Sequence, residues 1–136
     1  MWFSTNEGLT RFDGYSFKTY PFQHLDEGQI YSDHISAMDI DDQGTFWISR
    51  HHHPLENFDP VTGGSTLYPS KSSNLPNDII VEIHCENDLV WLGHAGETNS
   101  RGGGLSSLNK LSGEIKNYQF EPIMKTLTTC HQVNCW

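Results

Sequence analysis

Positive charge is scarce in this sequence, and its scarcity argues against one class of partner. Lys and Arg total 8 against 17 Asp and Glu, which gives a formal net charge of -9. The cations also occur singly along the chain. An acidic surface without basic clusters repels the phosphate backbones of nucleic acids. We therefore expect no nucleic-acid partner.

Long apolar runs are missing as well. No stretch approaches the roughly 18 consecutive apolar residues of a transmembrane helix, and Met1 is not followed by a basic segment and an apolar run. The sequence thus predicts neither a membrane span nor a targeting signal within this chain. Charged residues make up only 18%, but aromatic residues reach 12%, so the chain has enough large apolar side chains to build a core.

Cysteine is sparse and its spacing is uninformative. The three cysteines are an odd number and contain no C-x-x-C pair, which argues against a disulfide framework and a zinc signature. A cluster could form only if the C-terminal tail folded beside the preceding unit, and its spacing matches no known zinc pattern. Its members would be His84, Cys85, Cys130, His131 and Cys135.

A repeat of about 45 residues is the strongest feature that is present. Trp2, Trp47, Trp91 and Trp136 are separated by 45, 44 and 45 residues. Other landmarks keep the same register: Leu9, Leu55 and Leu105, then Phe12, Phe58 and Leu108, then Tyr20, Tyr68 and Tyr118. A fixed period of this size is typical of solenoids and propellers.

Each unit predicts short strands closed by turns. In the second unit, strands are expected at 35–40, 45–49, 55–58 and 65–68, and the first two are joined by the tight turn Asp41-Asp42-Gln43-Gly44. No segment has a sustained apolar period of 3.6 residues. Four antiparallel strands in about 45 residues match one propeller blade, so the sequence predicts an all-β fold.

The units divide the chain into parts of one partial propeller, residues 1–136. We predict a blade lacking its inner strand at 1–30, complete blades at 31–74 and 75–120, and the start of a further blade at 121–136. Strands of the third unit are expected at 79–84, 89–93, 104–108 and 114–120. Propellers close with about four to eight blades. The expected architecture is therefore about three four-stranded antiparallel blades that form an open array, not a closed ring.

The repeated phrase resembles the two-component regulator propeller repeat, whose blades read approximately D-x-x-G-x-x-W-[IF]-G-T, then G-G-L-N-R-[FY]-D, then a closing aromatic strand. Residues 1–14, MWFSTNEGLTRFDG, follow this pattern closely. Asp42-x-Gly44-x-x-Trp47 and Val90-Trp91-Leu92-Gly93 match it in the next two units.

The resemblance implies a function and a cellular location. Members of this family carry an export signal, many such blades, and a histidine kinase, hybrid kinase or diguanylate cyclase as output domain. The chain is thus expected to be a fragment of a sensor on the periplasmic or extracellular side of a bacterial inner membrane. Its expected partners are a small molecule, with saccharides implied by the resemblance, the remaining blades and the output domain.

Strand alternation sorts the polar residues onto two faces. Turns between first and second strands and between third and fourth strands share one face, where Asp41, Asp42, Asp59 and Asn109 are expected to cap turns and Gly44 to permit one. Loops between second and third strands share the other face, which is the expected ligand-binding side. Its candidate residues are Arg50, His51, His52, His53, His94, Glu97, Asn99 and Arg101.

Two of these loops depart from the family pattern. Arg50-His51-His52-His53-Pro54 replaces a glycine-rich approach to the third strand, and the loop around HAGETNSRGG is enlarged. Adjacent side chains of an extended backbone point to opposite sides, so no more than two of the three histidines could share an ion. We expect an exposed polar loop, no metal and no cofactor.

Other readings of the same residues remain open. The periodic Trp and Tyr residues could stack on sugar rings, but their register is better explained by packing between blades. Residues 42–47 approximate the Asp-box hairpin of sialidase-type propellers, yet no Tyr-Glu nucleophile pair is identifiable. We therefore expect no enzymatic activity in this chain. The alternatives are a fragment of a propeller glycosidase or polysaccharide lyase and a protein-binding scaffold. The open ends also predict self-association.

Overall fold

The fold is known from a computed structural model, in which residues 1–5, 8–20, 34–51, 53–96 and 103–118 are described. These residues form eleven β-strands and no helix. No membrane-spanning helix occurs among them. The strands are β1 Trp2–Thr5, β2 Gly8–Phe12, β3 Phe17–Tyr20, β4 Ile35–Ile40, β5 Phe46–Arg50, β6 Leu55–Phe58, β7 Ser65–Tyr68, β8 Ile80–Glu86, β9 Leu89–His94, β10 Leu105–Asn109 and β11 Ile115–Tyr118.

The strands build three separate antiparallel sheets. The first sheet has the order β1-β2-β3, the second β4-β5-β6-β7 and the third β8-β9-β10-β11. Every strand pairs with its neighbour along the chain, as in a meander. The described residues contain only strands, so their fold is all-β. None of the three sheets closes on itself, so each is an open, blade-like unit.

The observed strands agree closely with the sequence pattern. The strands expected at 35–40, 55–58 and 65–68 have those bounds, and β5 is offset by one residue from 45–49. The third sheet differs more, since β8 continues to Glu86 instead of ending at 84. Asn87 then takes a φ of 50°, a left-handed conformation that Asn tolerates in tight turns. The division of the chain at 30, 74 and 120 stays a prediction.

One Trp, one Leu and one Tyr take equivalent places in every sheet. Leu9, Leu55 and Leu105 pair with Tyr20, Tyr68 and Tyr118 respectively. The Trp and Tyr rings of each sheet lie 5.5, 5.6 and 5.9 Å apart between centroids, and the interplanar angles are 39°, 35° and 38°. We call these three residues the presenting set: Trp2, Leu9 and Tyr20; Trp47, Leu55 and Tyr68; Trp91, Leu105 and Tyr118.

Two apolar cores hold the sheets together. The first core joins the presenting set of the first sheet to the second sheet, where Trp2 packs edge-on against Phe46 with centroids 4.7 Å apart. The second core joins Trp47 and Leu55 of the second sheet to the third sheet, with Ile83 and Leu92 among its members. Full burial of such side chains is worth about 1.5–3 kcal/mol each. The periodic aromatics therefore stack successive sheets in chain order.

Polar contacts reinforce the seam between the second and third sheets. Ser36 and Ser49 both donate hydrogen bonds to the Ile80 carbonyl, at 2.9 and 3.0 Å. The Cys85 N–H donates to Asp39 Oδ2 at 2.7 Å. β8 is an edge strand, and its outward backbone groups need partners when they are buried. Side chains of the second sheet supply them.

Candidate ligand-binding face

The face expected to bind ligand is the one where second and third strands are joined, and two residues mark it. Arg50 ends β5 and His94 ends β9, and each pairs with the first residue of the inner strand, Ile35 and Ile80 respectively. Both inner strands carry a register shift just after that pair. Arg50 and His94 are therefore equivalent residues of successive sheets.

Arg50 lies in a buried ionic network and not on an exposed loop, contrary to the sequence expectation. Its residue surface is 1% exposed, and Nη2 lies 3.0 Å from Glu56 Oε2. Nη2 also lies 2.9 Å from His53 Nε2, while His53 Nδ1 lies 3.1 Å from the Pro54 carbonyl. Nδ1–H donating to the carbonyl and Nε2 accepting from the guanidinium is the tautomer that satisfies both contacts.

The physical reason for this correction is the alternation of β5. Phe46, Ile48 and Arg50 share the side of the strand that faces the first sheet, so the Arg50 side chain enters the interior. A buried guanidinium requires a counter-ion, and Glu56 supplies it from the neighbouring strand. His53 is fully buried in the same network, so the expected exposed histidine loop is wrong at that position. His51 is exposed.

His94 is also buried, and its side chain contacts the amide of Asn77. Its Nδ1 lies 3.3 Å from Asn77 Oδ1, and Asn77 Nδ2 donates to the Ala95 carbonyl at 3.2 Å. Burial lowers the pKa of His94, and Asn77 and Asp78 oppose this shift only in part. His94 Nε2 is buried and has no hydrogen-bond partner among the described residues. The uncharged imidazole is thus favoured.

The base of the enlarged loop is closely packed. The His94 N–H donates to the Gly104 carbonyl at 2.9 Å, and the Ala95 N–H donates to the Ile79 carbonyl at 2.9 Å. A Cβ atom at Gly103 would lie 1.4 Å from the His94 carbonyl oxygen. Only glycine fits there, because a side chain would collide with backbone. The base of the loop is therefore defined by backbone contacts.

Several predicted site residues lie outside the described residues. These are His52, Glu97, Asn99 and Arg101. The same is true of Cys130, His131, Cys135 and Trp136. Their proposed roles stay predictions. Within residues 1–5, 8–20, 34–51, 53–96 and 103–118, no three His, Cys, Asp or Glu side chains are grouped to hold a metal ion. Burial, with Asp39 nearby, raises the pKa of the Cys85 thiol to about 12, so it remains protonated.

The opposite face consists of turns held by carboxylates and amides. Asp13 Oδ1 accepts hydrogen bonds from the N–H groups of residues 15 and 16, and Asn109 Oδ1 accepts them from residues 111 and 112. Asp59 accepts from Val61 N–H and Thr62 Oγ1. These backbone and hydroxyl donors lower the pKa of Asp13 and Asp59. This face is organised around its own turns.

In the turn between β4 and β5, the capping residue is Asp41 and not Asp42. Asp41 Oδ1 accepts from the N–H groups of Gln43 and Thr45 at 3.0 Å each, and Oδ2 accepts from Trp47 Nε1 at 3.1 Å. Gly44 follows with a φ of 80°, which favours glycine. Asp42 points away and accepts a 2.7 Å hydrogen bond from Lys110 of the third sheet. Of the two acids expected to cap this turn, Asp41 does so and Asp42 does not.

Three contributors to these sites were missed or underrated from sequence. For Glu56, the sequence shows only that an acid lies in the strand after Arg50, and this becomes meaningful only once the structure is known. Lys110 has none, because its partner is 68 residues away. Asn77 lies in the link before β8, and its pairing with His94 could not be predicted from the sequence.

The architecture is thus that of consecutive blades of an open β-propeller, and comparisons with known proteins agree. No protein-family profile and no curated protein matches the chain. Among solved structures, the chain is similar to the extracellular domain of a hybrid two component system, BT3049, from B. thetaiotaomicron. The TM-score is 0.67 at 22% identity, over 87% of this chain and 16% of that one.

A second protein of the same organism gives a similar result. The extracellular domain of BT4673, described as a hybrid two component system, matches with a TM-score of 0.50 and 16% identity over 90% of this chain. This chain covers 20% of that structure. The chain therefore spans about a fifth or less of the domains it matches. The likeness confirms the fold and is consistent with the resemblance to two-component regulator propellers.

Proposed function

We propose that the chain is part of the ligand-binding sensor domain of a bacterial two-component or cyclic-di-GMP signalling receptor. The observation that carries this proposal is the fold likeness, over 87% of the chain, to the extracellular domain of a hybrid two component system. Domains of this kind face the periplasm or the exterior, and we propose that location here. The output domain and the remaining blades would belong to the same receptor.

The proposed binding side is the face that carries His51, His94 and the enlarged loop. Gly103, Asn77 and the buried His94 form a closely packed base for that loop. Loops on a rigid scaffold are the usual place for binding residues. Arg50, by contrast, is already paired with Glu56, so its role is to hold this end of the second sheet in position.

The ligand class we propose is a saccharide that carries an acidic group. Arg101 is the remaining arginine of the candidate set, and its forked donors suit a carboxylate or a sulfate. Glu97 and Asn99 of the same loop would accept and donate hydrogen bonds to hydroxyl groups. Recognition would be non-covalent, and no bond of the ligand would change.

The test is calorimetric titration of neutral, carboxylated and sulfated oligosaccharides into the complete receptor that contains this segment. Arg101→Ala should weaken binding by about 1 to 3 kcal/mol, the scale of a charged hydrogen bond. Arg101→Lys should keep part of the affinity that Arg101→Ala loses. Val61→Ala, on the opposite face, should leave the affinity unchanged. Equal affinity of the wild-type and Arg101→Ala receptors would remove Arg101 from the site.

The same titration separates the other functional classes. If cleaved oligosaccharide is found in the calorimeter's sample cell after the titration, the sensor proposal is overturned in favour of a glycosidase or lyase. Absence of binding to every saccharide, together with capture of a protein partner by the complete receptor, would favour a scaffold.

A further inference from the structure

Two cations lie side by side on the first sheet, close to the turn of residues 13–16. Trp2 pairs with Arg11 across β1 and β2, and Arg11 pairs with Lys18 across β2 and β3. Directly paired residues of antiparallel strands point to the same side of the sheet, with Cβ atoms about 4.5–5.5 Å apart. Trp2, Arg11 and Lys18 therefore form one row, in which both cations are exposed.

Each cation is placed over an aromatic ring of the same sheet. Arg11 Cζ lies 5.9 Å from the centre of the Trp2 ring, and Lys18 Nζ lies 4.7 Å from the centre of the Tyr20 ring. Both rings are fixed in the seam with the second sheet, because they pack against phenylalanines of β5 and β6. Aromatic faces attract cations. The rings therefore hold the two charged groups on a rigid base.

Neither cation has a carboxylate partner at ion-pair distance among the residues that the structure describes. The acid closest to Arg11 in sequence is Asp13, but its carboxylate serves its own turn. Asp13 Oδ1 accepts hydrogen bonds from the N–H groups of residues 15 and 16, and Oδ2 accepts one from Ser16 Oγ. Of the groups that lower the pKa of Asp13, Arg11 contributes least. The two positive charges therefore lack a close counter-ion within this part of the chain.

The equivalent rows of the other two sheets show that the blade pattern does not require this pair. In the second sheet the two positions are taken by Asn57 and Thr66, which carry no charge. In the third sheet they are taken by Ser107 and Lys116, and Glu114 lies 3.8 Å from Lys116. Like charges directly opposite each other destabilise a sheet. The pair in the first sheet thus has a cost that the other sheets avoid.

We propose that Arg11 and Lys18 form a binding site for a doubly charged phosphate group. An anion between two cations removes their mutual repulsion. The planar fork of Arg11 can donate two parallel hydrogen bonds to phosphate oxygens, and the Lys18 ammonium supplies a compact second charge. Because the aromatic rings already hold both side chains in place, they lose little freedom when the anion binds.

Charge decides between phosphate and other anionic groups. A phosphate monoester carries a charge of about −1.5 to −2 at neutral pH, so one group can neutralise both cations. A sulfate ester or a carboxylate carries a single negative charge and would leave one cation unbalanced. The site is distinct from the proposed sensor site, because the turn of residues 13–16 lies on the face opposite the candidate ligand-binding face.

The experiment is a titration of the whole 136-residue chain with glucose 6-phosphate, followed by the amide NMR signals of Arg11 and Lys18. Glucose 6-sulfate and glucose present lower charge on the same sugar, and sodium chloride keeps the ionic strength constant. At about pH 8 the phosphate is doubly charged, because its second pKa is about 6. It should bind about three- to fivefold more tightly than the sulfate, the scale of one further exposed ion pair. Glucose should leave the signals unchanged.

Variants test whether the pair itself is the site. Arg11→Gln and Lys18→Gln should each weaken binding of glucose 6-phosphate at least about fivefold. Lys116→Gln is the matched control, since it removes an exposed lysine from the register position that corresponds to Lys18, and it should leave the affinity unchanged. Inorganic phosphate distinguishes the source of the group. Tighter binding of glucose 6-phosphate assigns the site to an ester, and tighter binding of inorganic phosphate assigns it to the free ion.

Urea denaturation gives a second readout. A double-mutant cycle of Arg11→Gln and Lys18→Gln isolates the interaction between the two cations. That interaction should be unfavourable in chloride and become favourable in saturating phosphate. The general stabilisation of folded proteins by phosphate acts on all four chains alike and cancels in the cycle.

Four results would overturn the proposal. These are NMR signals of Arg11 and Lys18 that no phosphate probe shifts, equal affinity for glucose 6-phosphate and glucose 6-sulfate, an equal loss of affinity in Lys116→Gln, and a coupling that phosphate leaves unchanged. None of these results bears on ligand binding at the opposite face, so the sensor proposal is tested separately.

Discussion

Lys110 Nζ donates a 2.7 Å hydrogen bond to Asp42 Oδ1 across the seam between the second and third sheets. Lys110 is only 9% exposed and also lies 3.7 Å from Asp41 Oδ2. Asp41 meanwhile holds its own turn and the Trp47 indole. Two adjacent carboxylates thus have different roles, since one shapes a turn and the other fastens two sheets.

Asp41→Ala should destabilise the chain more than Asp42→Ala. The first change removes three hydrogen bonds and leaves the buried Trp47 N–H without its acceptor, which costs about 2–3 kcal/mol. Asp42→Ala removes only the exposed partner of Lys110. Urea denaturation of the two variants measures the difference. Equal losses would show that Asp41 does not carry the turn.

The Lys110–Asp42 pair should stabilise the chain only within a pH window. Lys110 lowers the pKa of Asp42 below 3.8, so the contribution is present above that value and is lost as pH falls through the lower folded pKa. Asp42 raises the pKa of Lys110 above 10.5, so the contribution is also lost as pH rises through the higher folded value. Melting of the wild type and Lys110→Met should converge at both extremes. A constant difference from pH 3 to pH 11 would exclude an ionic role.

Breaking the Arg50–Glu56 pair should cost more than removing it. Arg50→Met or Glu56→Leu alone leaves a buried charge without its partner, a loss of about 3–5 kcal/mol. The double variant Arg50→Met with Glu56→Leu leaves no charge and should be more stable than either single one. A double-mutant cycle from urea denaturation measures the coupling. Strictly additive losses would contradict the buried ion pair.

His94 should make the chain less stable as the pH falls below neutrality. Burial lowers its folded pKa below 6.5, so the unfolded chain binds a proton more readily between the folded value and 6.5. The stability linked to the neutral form of His94 is fully present above pH 6.5 and declines as the pH falls toward the folded pKa of His94. His94→Leu, which removes this titration, should lose less stability between pH 7.5 and pH 5. Parallel curves for the wild type and His94→Leu would show that other groups cause the decline.

The strand pattern was predictable because it is local. The short runs at residues 35–40 and 55–58 and the turn residues at 41–44 depend on neighbours in the chain, and β4 and β6 have the predicted bounds. The spacing of Trp2, Trp47 and Trp91 similarly fixed the number of units. The period of a repeat is visible in the sequence alone, without knowledge of any tertiary contact.

The candidate site was less predictable because it depends on which side of a strand faces a neighbouring sheet. Arg50 was expected in an exposed loop from its neighbours in sequence, yet it ends a buried strand. The position of Glu56 on β6, the strand paired with β5, made the burial of Arg50 possible. Lys110 reached Asp42 only because the sheets stack in chain order.

By itself, the sequence determined a three-unit all-β array and the spacing of its aromatic residues, because short strands and the turns that close them are set by a few neighbouring residues. The tertiary structure alone decided which carboxylate caps the turn and that Arg50 is enclosed with Glu56 and His53. These outcomes depend on burial against other sheets. Burial sets the cost of an unpaired charge and the gain from apolar contact. Neither quantity can be derived from the order of residues alone.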